Sequence, residues 1–119
     1  MQRLWKATIN SRNGLAFAVR SEQAVREEVV ALILAVPLAC LIGATTMRRV
    51  ELVAAVALVL VIELLNTAIE KLADRLTTEH DLQIGRVKDM GSAAVGVALL
   101  MSGLFWLFAL VERMGAIWS

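Results

Sequence analysis

The chain has 119 residues, 59% of them hydrophobic, with a mean hydropathy of +0.72 and a formal net charge of +1. Apolar usage above the about 45–50% of soluble domains points to an integral membrane protein of one domain, 1–119, too small to enclose a large substrate without oligomerising. The near-zero charge argues against a nucleic-acid partner, and the single cysteine, Cys40 in an apolar run, excludes an intrachain disulfide and a multi-cysteine metal site.

The leader, about residues 4–27, mixes Trp5, Ile9, Leu15, Phe17 and Val19 with arginine and lysine. That is the pattern of an amphipathic helix lying in the membrane interface, although Gly14 interrupts it and a loosely ordered arm fits the same composition. Its charges are spread throughout, so it does not read as a cleavable signal peptide. Within Ser21 to Glu28, Glu22 and Arg26 stand four apart, the spacing of a helical ion pair. Glu22 also lies just before the first apolar segment, where a carboxylate is a candidate metal ligand.

Three apolar segments, at about 29–47, 50–72 and 90–111, are each predicted to cross the bilayer as a helix. The first contains Pro37, which membrane helices tolerate where neighbouring groups compensate for the lost backbone donor. The third carries small residues at helical spacing, Ser92 and Gly96, then Ala94, Ala98 and Ser102, which let membrane helices approach closely. Basic residues set the orientation. Arg3, Lys6, Arg12, Arg20, Arg26, Lys71, Arg75, Arg86 and Lys88 fall on one side, against Arg48, Arg49 and Arg113 on the other, which predicts a cytoplasmic N-terminus and an outward C-terminus.

The second apolar segment holds Glu63 and Glu70, and a charged side chain at bilayer depth costs roughly 2.5–3.5 kcal/mol on insertion scales, which makes it a functional candidate. On a helix, Glu63, Asn66, Thr67, Glu70 and Asp74 fall within about 100° of one another and form one polar stripe. The two glutamates are separated by about 10 Å along the axis, which assigns them different tasks. An interhelical hydrogen-bond seam is the alternative use of such a stripe. The connection that follows adds Glu79, His80, Asp81, Arg86, Lys88 and Asp89. Carboxylates with cations suit a nucleotide and its Mg²⁺, which binds through one or two carboxylates plus substrate phosphates. Gly85 to Ser92 lacks the Gly-Lys-Ser/Thr order of a Walker loop, and His80 alone reads as a surface residue.

The run Glu63-Leu64-Leu65-Asn66-Thr67-Ala68-Ile69-Glu70, then Asp74-Arg75, then Gly85 to Val95, with Glu22, Ala24, Arg26 and Glu28 upstream, resembles the prokaryotic diacylglycerol kinase family from Arg3 to about Trp106. The resemblance implies an all-α membrane protein, with three transmembrane helices and an interfacial helix per subunit, assembled as a homotrimeric bundle with shared active sites in the bacterial inner membrane. It implies ATP-dependent phosphorylation of diacylglycerol to phosphatidate. By matching position, Glu63 would be the general base supported by Asn66, and Glu22 with Glu70 would hold the Mg²⁺ that accompanies ATP. Arg3, Glu79, Lys88 and Asp89 would contact the nucleotide. Glu28, Ser92 and Trp106, with Arg3 and Glu63, would contact the lipid substrate.

Asn10, where the family's best-known members carry an aromatic, and the absence of a tryptophan near Asn10 to Gly14 depart from the pattern. So does the first connection, which lacks the family's acids and tryptophan. The rival readings are undecaprenol kinase of the same superfamily, a small proton-coupled multidrug transporter in which Glu63 exchanges protons, and a structural membrane subunit. Lys88-Asp89-Met90-Gly91-Ser92-Ala93-Ala94 resembles the diacylglycerol branch, and transporters of this size have four spans and no need of the charged 79–89 connection.

Overall fold

A computed structural model describes residues 2–77 and 79–118, and these fold into four helices: α1 Gln2–Ser21, α2 Gln23–Ile42, α3 Thr46–Leu76 and α4 Leu82–Trp118. Among the described residues there is no strand. The leader is helical through Gly14 but does not run on to residue 27. Glu22 turns extended, at φ −125° and ψ 120°, and separates α1 from α2. Arg26 then reaches back across the break, its Nη1 donating to the carbonyls of Val19 and Arg20, both at 3.0 Å. It satisfies acceptors that the end of α1 leaves open, so the anticipated Glu22–Arg26 ion pair is replaced by a cap.

The turn between α2 and α3 is built by three residues. Gly43 closes α2, its N–H donating to the Ala39 carbonyl at 2.8 Å, while its own carbonyl accepts from Arg49 Nε at 3.1 Å. A Cβ on Gly43 would overlap the Arg49 side chain and the Ala39 carbonyl, so this close approach requires glycine. Thr45 caps α3 by accepting from the Arg48 N–H at 3.1 Å. The first apolar helix therefore stops at Ile42 rather than near residue 47, and Arg48 and Arg49 sit in the first turn of α3.

At 31 and 37 residues, α3 and α4 are about 46 and 55 Å long by helical rise. Both are long and apolar enough to cross a membrane. The uncharged part of α2, Val29 to Ile42, spans only about 21 Å and falls short of that criterion.

Along α3 the side chains buried at a strict seven-residue interval are Leu52, Val59, Asn66 and Ala73. Opposite them α4 buries Gly91, Ala98, Ser102 and Ala109. This is large-on-small packing of the coiled-coil kind, in which a seven-residue repeat keeps one seam facing the partner. Of the small residues anticipated at the contact, Ala98 and Ser102 are in it, whereas Ser92, Ala94 and Gly96 are exposed. The hairpin is antiparallel and tied at both ends: Arg48 Nε to Glu112 Oε1 at 3.1 Å, with Arg48 also on Glu51 at 2.6 Å, and Lys88 Nζ to Asp74 Oδ1 at 2.5 Å. A second antiparallel contact sets Ala39 of α2 against Leu52 of α3. Little else is covered. Leu99, Leu100, Leu104, Leu107 and Phe108 on α4, and Ile33, Leu34 and Leu41 on α2, are exposed. Such continuous apolar surface suits lipid or further protein as its surroundings.

Candidate functional site

The register of α2 on α3, read from Ala39 against Leu52 at one end and from the ion pair of Glu22 with Lys71 at the other, sets Glu28 across from Glu63. Glu63 is half-buried, and Glu70, Glu28 and Glu22 all lie near enough for their charges to act on it. Four acids that are dispersed over 49 residues of chain are thus brought to one place by the pairing of two helices. Glu28 stands just outside the uncharged stretch of α2. Burial, and after it the charge of Glu27, raises its carboxyl above the ordinary range.

The polar stripe of α3 turns inward. Asn66 and Thr67 are buried, and Asn66 Nδ2 donates to Glu70 Oε1 at 3.2 Å, which orients the shallower carboxylate. Asn66 Oδ1 is buried against Gly91 of α4 and has no hydrogen-bond partner among the described residues. A Cβ at position 91 would collide with it, so a larger residue there must displace the Asn66 amide or part the two helices. Glu63 itself has no hydrogen-bond or ion-pair partner among the described residues.

Glu22 is held differently. Its Oε1 lies 2.7 Å from Lys71 Nζ, and the same ammonium sits 5.2 Å from the centroid of the Phe17 ring on α1. Sequence reasoning counted Lys71 only among the basic flanks. Its position directly after Glu70 was the available signal.

At the end of the hairpin where the chain passes from α3 to α4, Asp74, Thr77, Glu79, His80, Asp81, Ile84, Gly85 and Lys88 line a cleft of about 320 Å³. Glu79 and Lys88 are therefore together, and His80 faces the cleft with them. Asp81 caps α4, its Oδ1 accepting from the Gln83 and Ile84 N–H groups at 2.9 and 3.1 Å. Asp89 is exposed and does not line the cleft. Ser92 is exposed next to Gly91. Trp106 packs instead on Ala39, Leu52 and Ala109, about 22 Å along α4 from Gly91. Arg3 is exposed, about 21 Å along α1 from Phe17, with no polar partner among the described residues. One chain thus gathers Glu22, Glu28, Glu63, Asn66 and Glu70, puts Glu79 and Lys88 beyond them, and leaves Arg3 and Trp106 apart.

Among the described residues no group of three acid, histidine or cysteine side chains has the geometry of a metal cage. Glu22 and Glu70 instead offer two hard oxygen donors, the usual protein share for Mg²⁺ that arrives with phosphate ligands of its own.

The family model for prokaryotic diacylglycerol kinase matches residues 9–110. The chain belongs to that family. A diacylglycerol kinase of Escherichia coli (strain K12) is 42% identical over 113 residues, which cover 95% of this chain and 93% of the relative. The diacylglycerol kinase of Haemophilus influenzae is 38% identical over 103 residues, 87% of each chain, and that of Helicobacter pylori (strain ATCC 700392 / 26695) is 33% identical over 105 residues, 88% of this chain and 82% of the relative. The stretch that matches the family model takes in every acid gathered on α2 and α3, the cleft and Trp106, and leaves Arg3 outside.

Proposed function

We propose that the chain transfers the γ-phosphoryl group of ATP to the free hydroxyl of diacylglycerol, giving phosphatidate and ADP. The observation that carries this reading is Glu63: a half-buried carboxylate without a polar partner among the described residues, with Glu70 under the Asn66 amide and Glu22 and Glu28 close around it. Glu63 takes the hydroxyl proton as the alcohol oxygen attacks phosphorus, and the bond to the ADP oxygen breaks. General-base assistance of this kind is worth about 10²–10⁴-fold. Phosphoryl transfer otherwise depends on alignment and on neutralising charge. Glu22 and Glu70 would hold Mg²⁺, which supplies charge neutralisation on the phosphates. Lys88 and Glu79 in the cleft, with Asp89 beside it and Arg3 from α1, would hold the nucleotide; Glu28, Ser92 and Trp106 would contact the lipid.

The membrane reading extends α2 to a third span through Val29 to Ile42, with the N-terminus and the acid cluster at the cytoplasmic face of the inner membrane, as the nine-to-three basic asymmetry favours. The distance of Arg3 and Trp106 from the acids within one chain, together with the uncovered apolar faces of α3 and α4, supports an oligomer with sites completed between subunits, and the family resemblance favours a homotrimer.

Labelled ATP offered to the purified protein in mixed micelles tests the reaction. Transfer to diacylglycerol supports it, and transfer to undecaprenol alone replaces the substrate while keeping the chemistry. No transfer by a folded protein returns the acids to transport or assembly. Glu63→Gln is expected to lower kcat by about 10²-fold or more with the crosslinked oligomer unchanged, and near-normal turnover refutes the base assignment.

A further inference from the structure

Lys71 joins three elements. It sits on α3 directly after Glu70, its Nζ is 2.7 Å from Glu22 Oε1 at the α1/α2 break, and its charge lies 5.2 Å from the Phe17 centroid on α1. Among the described residues it is the only cation paired with the acids around Glu63. The neighbouring lysine, Lys88, is taken by Asp74 in the cleft.

A carboxylate oxygen held at 2.7 Å by an ammonium cannot serve a divalent ion at full strength, because the two cations repel across it. Lysine, however, carries its charge on a flexible four-carbon stem with three rotatable donors, and it can leave one oxygen for another nearby. Both partners are partly open to solvent, with side-chain exposures of 42% for Lys71 and 33% for Glu22, so exchange needs no repacking. The oxygens that would receive the ammonium are those of the triphosphate, which brings the surplus negative charge once the metal has taken Glu22.

From this geometry we infer that Lys71 is an exchangeable counter-cation: it neutralises Glu22 and pins the α1/α2 break to α3 while the site is empty, and it turns to a phosphate oxygen when the metal nucleotide binds. The inference rests on Glu22 as a metal ligand and adds a positioning residue to that site. It makes an unusual demand, since one substitution must move two affinities in opposite directions. A lysine that merely fastens α1 would move both the same way or neither.

The test uses the full-length protein in detergent, with Mn²⁺ followed by electron paramagnetic resonance, alone and with a non-hydrolysable ATP analogue. Lys71→Met is expected to tighten Mn²⁺ alone by about two- to fivefold and to weaken the Mn²⁺–nucleotide by a similar factor, the size of one partly exposed ion pair. The KM for ATP rises more than kcat falls, and Lys71→Arg restores nucleotide binding. Shifts in the same direction, or no shift, overturn the inference. Glu22→Gln separates the two levels. If it weakens Mn²⁺ while Lys71→Met changes nothing, the exchange alone fails; if it leaves Mn²⁺ binding at the wild-type level, the metal role of Glu22 fails and the exchange with it.

Discussion

Gly91→Ala tests whether the crossing of α3 and α4 positions the site. A methyl group at position 91 would occupy the space of Asn66 Oδ1, so either the helices separate or Asn66 rotates away from Glu70. Overpacking in a close contact costs about 1–3 kcal/mol. Losing the Asn66 to Glu70 hydrogen bond costs about 0.5–1.5 kcal/mol more, and the gain in helix propensity returns about 1 kcal/mol. The net expectation is a destabilisation of about 0.5–3.5 kcal/mol, with turnover down by about tenfold, the kinetic equivalent of 1.36 kcal/mol, as Glu70 loses its donor. Reversible unfolding in mixed micelles followed by circular dichroism measures the first, and the coupled phosphoryl-transfer assay the second. Gly14→Ala and Gly103→Ala, which meet nothing within 4 Å, serve as controls and should be neutral or mildly stabilising. In the Asn66→Ala background, Gly91→Ala should lose most of its cost, a coupling that a double-mutant cycle reads directly. A Gly91→Ala protein as stable and active as the Gly103→Ala control refutes the reasoning.

The far end of the hairpin should behave differently. Glu112→Gln removes one of the two carboxylates on Arg48, yet Glu51 at 2.6 Å and the Phe108 ring at 4.8 Å remain, and these side chains are partly exposed. A loss of about 0.2–1 kcal/mol with unchanged turnover is expected, measured by the same unfolding and transfer assays; a tenfold fall in activity would contradict it. Glu28→Gln should show a pH signature. Because the folded carboxyl is raised above its unfolded value, its contribution to stability is complete at acid pH and is lost as pH climbs through the raised value. Glutamine loses nothing over that window, so the stability difference should turn in its favour as pH rises above the ordinary glutamate range of about 4.3, while activity falls if Glu28 meets the lipid. A difference that stays flat with pH excludes the burial of Glu28 as its cause.

What could be read in the sequence was what one regular helix decides by itself. Glu63, Asn66, Thr67 and Glu70 share a face because α3 runs unbroken through them, and no tertiary contact alters that phase. The break at Glu22 was hidden because Ser21 to Glu28 holds no glycine or proline; an extended Glu22 is secured by contacts from elsewhere, Lys71 on its side chain and Arg26 on the carbonyls of α1. The end of α2 was legible and went unread: Gly43, followed by Thr45 as a cap, spells a helix stop and start. The small residues of α4 were seen, but those that touch α3 are chosen by the seven-residue interval of Leu52, Val59, Asn66 and Ala73, a property of the partner helix.

That interval also explains why the acids remain available. With the α4-facing seam fixed through Asn66, Glu70 and Glu63 are rotated about 40° and 60° away from it around α3, and Lys71, which meets Glu22 of α2, about 140°. The carboxylates therefore lie off the α4-facing seam, on the side of α3 that turns toward α2, and both are half-buried. One heptad from Glu63 toward the start of α3, nearly the same angular position is Val56, so this face of α3 changes from carboxylate to hydrocarbon along its length. A substrate with one hydroxyl and two acyl chains has that same polarity. A polar substrate of similar size would leave the Val56 level without apolar contact, and a simple hydrocarbon would bury the Glu63 carboxylate against nothing that can hydrogen-bond it.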